Sequence, residues 1–256
     1  MTVTVAALQL ASRLGDVDGN LRHLEEVLAE LPPDCHLAVA PELYTTGYDL
    51  DMIGTGPLSS LAEPVDGPSV TRLRKLAEAT DMTLVVGFLE GDGQQVFDSV
   101  VVTSPGAPPA VYRKTHLYPP ELSVFGEGDE LVVAPSPAGR LGLMICFEHA
   151  FPEVASTLAL AGTDILVIPS AVPVGYEHVL SLRTRARAQD NQIFAIGSNM
   201  ASPFCGRSLI VDPRGQVLAE AGTGEEVITA AIDLDQVTAE RRREPSLRLR
   251  RPELYE

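Results

Sequence analysis

Leu141-Gly142-Leu143-Met144-Ile145 is an unbroken apolar run with no polar alternation, and it stops at Cys146. A run of that length and pattern reads as a strand buried on both faces, which requires layers of structure above and below it. Leu37-Ala38-Val39-Ala40 has the same character and ends on Pro41-Glu42, and Val111-Tyr112-Arg113 ends on Lys114. Helical segments alternate with such strands. Over 18–31, Leu21, Leu24, Val27, Leu28 and Leu31 recur at helical spacing behind Asp18, the expected cap; 69–80, 152–161 and 177–190 also read as helices. Strands are expected over 3–10, 82–89, 96–103, 131–134, 164–168, 193–198, 207–211, 217–219 and 227–232, with a hairpin across Gly91-Asp92-Gly93. The stretches 44–60 and 119–130 read as loops, and 241–256 as a weakly structured basic tail. The pattern gives one α/β domain with mixed sheets, expected over 1–236, followed by a tail at 237–256.

The chain has 256 residues, 45% of them hydrophobic, enough for one large core. It carries 19 Lys and Arg against 35 Asp and Glu, a formal charge of −16, which argues against nucleic acid or an anionic membrane as partner. Its first ten residues read as a strand and not a signal peptide, and three cysteines do not make a disulfide framework, so a reduced, cytoplasmic setting is expected. No metal-ligand spacing or nucleotide-binding glycine motif occurs, and no metal or cofactor is expected.

An acid, an amine and a thiol at three strand ends suggest covalent hydrolysis of a carbon–nitrogen bond. Cys146 is the candidate nucleophile; Cys35 and Cys205 read as structural. His116 and His149 are candidate thiol partners, but neither brings an orienting Asn or Asp.

The order Pro41-Glu42, then Tyr112-Arg113-Lys114-Thr115-His116-Leu117, then Cys146-Phe147-Glu148 with Phe151-Pro152-Glu153, resembles the nitrilase superfamily of carbon–nitrogen hydrolases. Glu121 and Phe125, the helix segment 185–191, Asn199 and the stretch 206–215 resemble further marks of that family. The resemblance implies a four-layer α-β-β-α sandwich that pairs into a homodimer or higher homo-oligomer, with the tail reaching the partner. It assigns Glu42 as general base, Cys146 as nucleophile, Lys114 and the Phe147 N–H as oxyanion donors, and Glu121 as a second catalytic acid that positions substrate. Tyr48, Tyr118, Phe147, Ala171 and Val172 lie beside these strand ends and are candidate substrate contacts.

The chain departs from the family where Phe147-Glu148 replaces Tyr-Asp after the cysteine, and where His178-Val179 replaces a His-Trp pair. Together the marks lean towards small bacterial amidases acting on a small linear amide. The alternatives are an N-carbamoyl hydrolase, a nitrilase, or an idle binding dimer. The segment 169–175 offers no arginine to clamp the carboxylate of a carbamoyl amino acid.

Overall fold

The computed structural model describes every residue except Thr55, Gln94 and Glu256. The first sheet contains β1 (Thr2–Gln9), β2 (Cys35–Val39), β3 (Thr83–Asp92), β4 (Gln95–Thr103) and β5 (Ala110–Arg113). The second contains β6 (Val133–Ser136), β7 (Gly139–Leu143), β8 (Ile165–Ser170), β9 (Phe194–Asn199), β10 (Leu209–Val211) and β11 (Val217–Glu220). The last strand, β12 (Glu226–Asp233), returns to the first sheet. The two six-stranded sheets run β12-β1-β2-β3-β4-β5 and β11-β10-β9-β8-β7-β6. In each, three neighbouring strands are parallel, β1-β2-β3 and β7-β8-β9, and the outer pairings are antiparallel.

Alternation along β1 builds two cores from one strand. Val3, Val5 and Ala7 join Leu141, Leu143, Ile165 and Val167 of the second sheet in one apolar cluster. Ala6 and Leu8 join Leu21, Leu24 and Leu28 of α1 (Val17–Ala29) and Val70, Leu73 and Leu76 of α3 (Pro68–Thr80) in another. On the second sheet, α4 (Pro152–Leu160) and α5 (Glu177–Asn191) supply Val154, Leu158, Leu180 and Ala188. The result is the expected sandwich, in which β-strands with both faces covered need no polar side. Among the described residues, no helix is long and apolar enough to cross a membrane.

Several local expectations shift. The α1 cap is Asp16, whose carboxylate accepts the Gly19 N–H at 3.0 Å. Asp18 lies within the first turn and pairs with Arg72 at 2.8 Å. The strand expected at 131–134 is Val133–Ser136. Strands β3 and β4 pair as far as Asp92 opposite Gln95, so Gly91 and Asp92, expected in the turn, lie within β3. The loop at 44–60, apart from undescribed Thr55, contains the short helix α2 (Leu50–Gly54) and a 3-10 turn at Pro57–Leu61. The segment 119–130 begins with a 3-10 turn, Pro119–Ser123.

The tail is more ordered than its composition suggests. Helix α6 (Asp235–Arg243) runs across the boundary expected at 236/237 and buries Val237 in the inter-sheet cluster. Beyond it, Ser246 accepts from the Gln192 amide at 2.7 Å, and 3-10 turns follow at Leu247–Leu249 and Pro252–Leu254.

Candidate active site

Glu42, Lys114 and Cys146 project from the ends of β2, β5 and β7, on the rim where the parallel strands finish. Each is held by backbone constraint. The Gly87 N–H donates to the Pro41 carbonyl at 3.2 Å and Ala40 N–H to Val85 at 2.8 Å, so Glu42 leaves a strand end stitched to β3. The approach is close: a Cβ on Gly87 would come within 2.4 Å of the Leu43 nitrogen. Lys114 N–H donates to the Asp98 carbonyl at 2.9 Å, and its own carbonyl accepts from Gly128 at 2.8 Å. Cys146 has a left-handed backbone, φ 43°, at the first residue of the 3-10 turn Cys146–Ala150. Non-glycine residues adopt that conformation at a cost, and such sites cluster where a side chain must be displayed.

The Lys114 ammonium is fully buried and sits among three buried carboxylates. It donates to Glu42 Oε1 at 2.6 Å, Glu121 Oε1 at 2.8 Å and Asp98 Oδ2 at 3.1 Å. Glu121 is fixed further by the Tyr48 hydroxyl at 2.6 Å and the Tyr118 N–H at 2.6 Å. Oxygens of Glu42, Asp98 and Glu121 lie within 4.8 Å of one another, spacing that would suit a metal ion. Here Lys114 Nζ bonds all three, so the site's cation is covalently part of the chain.

Charge and burial set the protonation states. Burial would lower the Lys114 pKa, but the charges of Glu42, Asp98 and Glu121 outweigh it and hold the ammonium well above its ordinary value. Burial, and then the neighbouring Glu42 charge, push the Cys146 thiol well up. Cys146 therefore rests as a thiol, which would need a base to act through its sulfur.

A fourth buried acid braces the turn that carries Cys146. Glu148 takes hydrogen bonds from Tyr112 Oη at 2.5 Å, Thr115 N–H at 2.9 Å, Thr115 Oγ1 at 2.6 Å and Ile145 N–H at 2.7 Å. Burial alone would raise its pKa; hydrogen bonds from His116, Thr115, Tyr112 and Ile145 win, and it is lowered. His116 is drawn into this bracing network, its Nδ1 2.8 Å from Thr115 Oγ1. His149 is buried with Nδ1 unpartnered, and burial, with Arg183 and Arg187 nearby, lowers it to about 3.

Cys146 and Glu121 open into a cavity of about 330 Å³. The five residues expected beside the strand ends, Tyr48, Tyr118, Phe147, Ala171 and Val172, all line it. Leu50, Pro173, Tyr176, Arg183 and Phe204, which the sequence did not single out, complete the wall with His149 and Val179. Asp98 was also missed, although an acid inside the apolar run Val96-Phe97-Asp98-Ser99-Val100 is itself a signal of a buried partner. Cys35 and Cys205 are buried outside this cavity, and burial raises each to about 11.

Known proteins share this arrangement of sheets. The structure of Nit3 from Saccharomyces cerevisiae, described as a member of branch 10 of the nitrilase superfamily, superposes with a TM-score of 0.86 at 29% identity, covering 95% of this chain and 94% of that one. A carbon-nitrogen hydrolase from Helicobacter pylori G27 superposes with a TM-score of 0.91 at 26% identity over 100% and 97%. In sequence, an (R)-stereoselective amidase of a Pseudomonas species is 34% identical over 244 residues, 93% of this chain and 88% of that protein. A human deaminated glutathione amidase is 33% identical over 253 residues, 86% and 73%. The family model for carbon-nitrogen hydrolases matches residues 4–242, and the chain belongs to that family of enzymes, hydrolases acting on C–N bonds.

Proposed function

We propose that this protein is an amidase that hydrolyses a small linear amide to a carboxylate and ammonia through a thioester on Cys146. One observation carries the reading: Glu42, Lys114 and Glu121 form one buried hydrogen-bonded cluster, and Glu121 of that cluster lines the same cavity as Cys146. Glu42 accepts the thiol proton as Sγ attacks the amide carbon. Lys114 and the Phe147 N–H stabilise the oxygen that becomes negative. Glu42 returns the proton to the departing nitrogen as the C–N bond breaks, leaving an acyl thioester and ammonia. Water then attacks the thioester, giving its proton to Glu42, and collapse releases the acid and restores the thiol. Glu121, tied to Lys114 and Tyr48, keeps the ammonium aimed and contacts substrate.

The cavity walls are mostly aromatic and aliphatic, which favours an apolar acyl group contacted by Tyr48, Tyr118, Phe147, Ala171 and Val172. One feature favours a second reading. Arg183 lines the cavity from α5, and no ion pair or hydrogen bond to its side chain is found among the described residues. It could clamp a carboxylate, as an N-carbamoyl amino acid would require. We further propose a homodimer in a reducing cytoplasm, with the exposed tail residues Leu249, Leu254 and Tyr255 at the contact.

The test is ammonia release by wild type and Cys146→Ala from matched amides, carbamoyl amino acids and nitriles. Mass spectrometry of the quenched reaction would look for the acyl adduct on Cys146. Amide turnover by wild type alone, with the adduct, is expected. Turnover confined to carbamoyl compounds or nitriles would replace the amidase reading, and equal activity of Cys146→Ala would overturn the nucleophile.

A further inference from the structure

The cluster around Lys114 contains more acid than its chemistry uses. Three carboxylates surround one ammonium, and Glu42, Asp98 and Lys114 are each 0% exposed, with Glu121 at 1%. If every acid were ionised the cluster would hold a net charge of 1 − 3 = −2 away from water. Like charges in such a site cannot all ionise, so one acid keeps a proton.

Geometry distinguishes the three. Glu42 makes the shortest contact to the ammonium, 2.6 Å. Glu121 accepts from Lys114, the Tyr48 hydroxyl and the Tyr118 N–H, all at 2.8 Å or less. Asp98 has one donor, Lys114, at the longest of these distances, 3.1 Å. Its Oδ1 is buried with no partner, and so is Glu42 Oε2. Oxygens of the two carboxyls lie within 4.8 Å of each other. Asp98 therefore has the least stabilised anion, beside a carboxylate able to accept a proton's hydrogen bond.

We propose that Asp98 is a positioning residue that stays protonated in the working enzyme, donating to Glu42 while accepting from Lys114. Burial, reinforced by the charges of Glu42 and Glu121, outweighs the lowering effect of the Lys114 ammonium and holds the Asp98 carboxyl well above its ordinary range, in keeping with this assignment. The charged groups facing Asp98 are Glu42 at the end of β2, Lys114 after β5 and Glu121 in the 3-10 turn. A neutral Asp98 removes a repelling charge from Glu42 and adds a donor to it. Glu42 is thereby held in place to take the thiol proton. The inference rests on the proposed role of Glu42 as base and adds where the cluster's resident proton lies.

The experiment compares full-length wild type, Asp98→Asn and Asp98→Ala. Asn reproduces a protonated Asp: its NH2 donates to Glu42 and its oxygen accepts from Lys114. Asp98→Asn is expected to keep kcat/KM on an amide within about threefold of wild type and to leave the acid limb of its pH profile in place. Asp98→Ala is expected to lose about 100-fold, through misplacement of Glu42 and Lys114. Infrared difference spectra at neutral pH should show a protonated-carboxyl stretch in wild type that Asp98→Asn lacks. A downward shift of the acid limb by about one pH unit in Asp98→Asn would mean that a negative charge was removed, and would overturn the proposal. Loss of the Asn variant's activity, wild-type activity in Asp98→Ala, or an unchanged infrared band would also overturn it. If Asp98→Ala does not fold, the Asn comparison and the infrared band decide. If wild type hydrolyses no amide, the amidase reading fails while the infrared band still decides the proton.

Discussion

Glu148 receives the Thr115 N–H at 2.9 Å on one carboxylate oxygen, while its other oxygen receives the Ile145 N–H at 2.7 Å. Thr115 follows Lys114 and Ile145 precedes Cys146, so one buried acid sets the spacing between amine and thiol. Glu148→Gln exchanges an acceptor for a donor facing N–H groups. It should cost about 3 kcal/mol of stability and lower kcat more than it raises KM. The lowered carboxyl also gives a pH signature. Its folded-state value lies below the ordinary 4.5, so its contribution is present above that value and lost as pH falls through the depressed one. Thermal melts from pH 7 to 3 should lose this component in Glu148→Gln; identical curves would refute the brace.

His149 is expected to make the protein acid-labile over a different window. Its folded pKa of about 3 lies below the ordinary 6.5, because burial and two nearby arginines disfavour the imidazolium. The unfolded chain thus binds the proton first, and stability declines as pH falls from 6.5 towards 3. The full loss is on the order of 4 kcal/mol. His149→Gln should flatten this part of the stability profile, and an imidazole that titrates near 6 by NMR would contradict it.

Cys146 should be alkylated slowly at neutral pH. Its thiol is held well above 9 by burial and by Glu42, so the rate of iodoacetamide modification should still be climbing at pH 9. The Cys146→Ala protein supplies the background from Cys35 and Cys205. A rate that levels off below pH 8 would show a preformed thiolate and remove the need for Glu42 in the first proton transfer.

Arg183→Met tests the cavity's positive wall. If a substrate carboxylate meets this guanidinium, KM for carboxylate-bearing amides should rise at least about tenfold with little change in kcat, and neutral amides should be unaffected. Equal effects on both classes would assign Arg183 to packing.

The strand ends were legible because each is a local pattern: an apolar run that stops on Glu42, Lys114 or Cys146. The two-sheet sandwich followed from strands with no polar face, together with the family resemblance. The unread parts depend on distant contacts. Asp98 sits within a strand whose neighbours are apolar, and only the fold brings it to Lys114, sixteen positions away. Glu148 looked like a family variation until Thr115 and Ile145 were seen to converge on it. The segment 169–175 carries no arginine, but the next helix turns Arg183 back over the cavity. In α1, Asp16 displaced Asp18 because the helix begins two residues earlier than the apolar periodicity suggests.

The contact at Gly87 separates what can change in this enzyme from what cannot. No side chain fits between β3 and the Pro41–Leu43 backbone, whose atoms would stand 2.4 to 2.8 Å from a Cβ. The strand end that carries Glu42 is cast against its neighbour and admits no adjustment. The walls around Tyr48, Tyr118, Tyr176 and Phe204 come from turns and loops, outside the strands. Engineering for new substrates should therefore succeed in the walls and fail at the strand ends: libraries there can redraw the acyl pocket while the hydrolytic core is inherited intact.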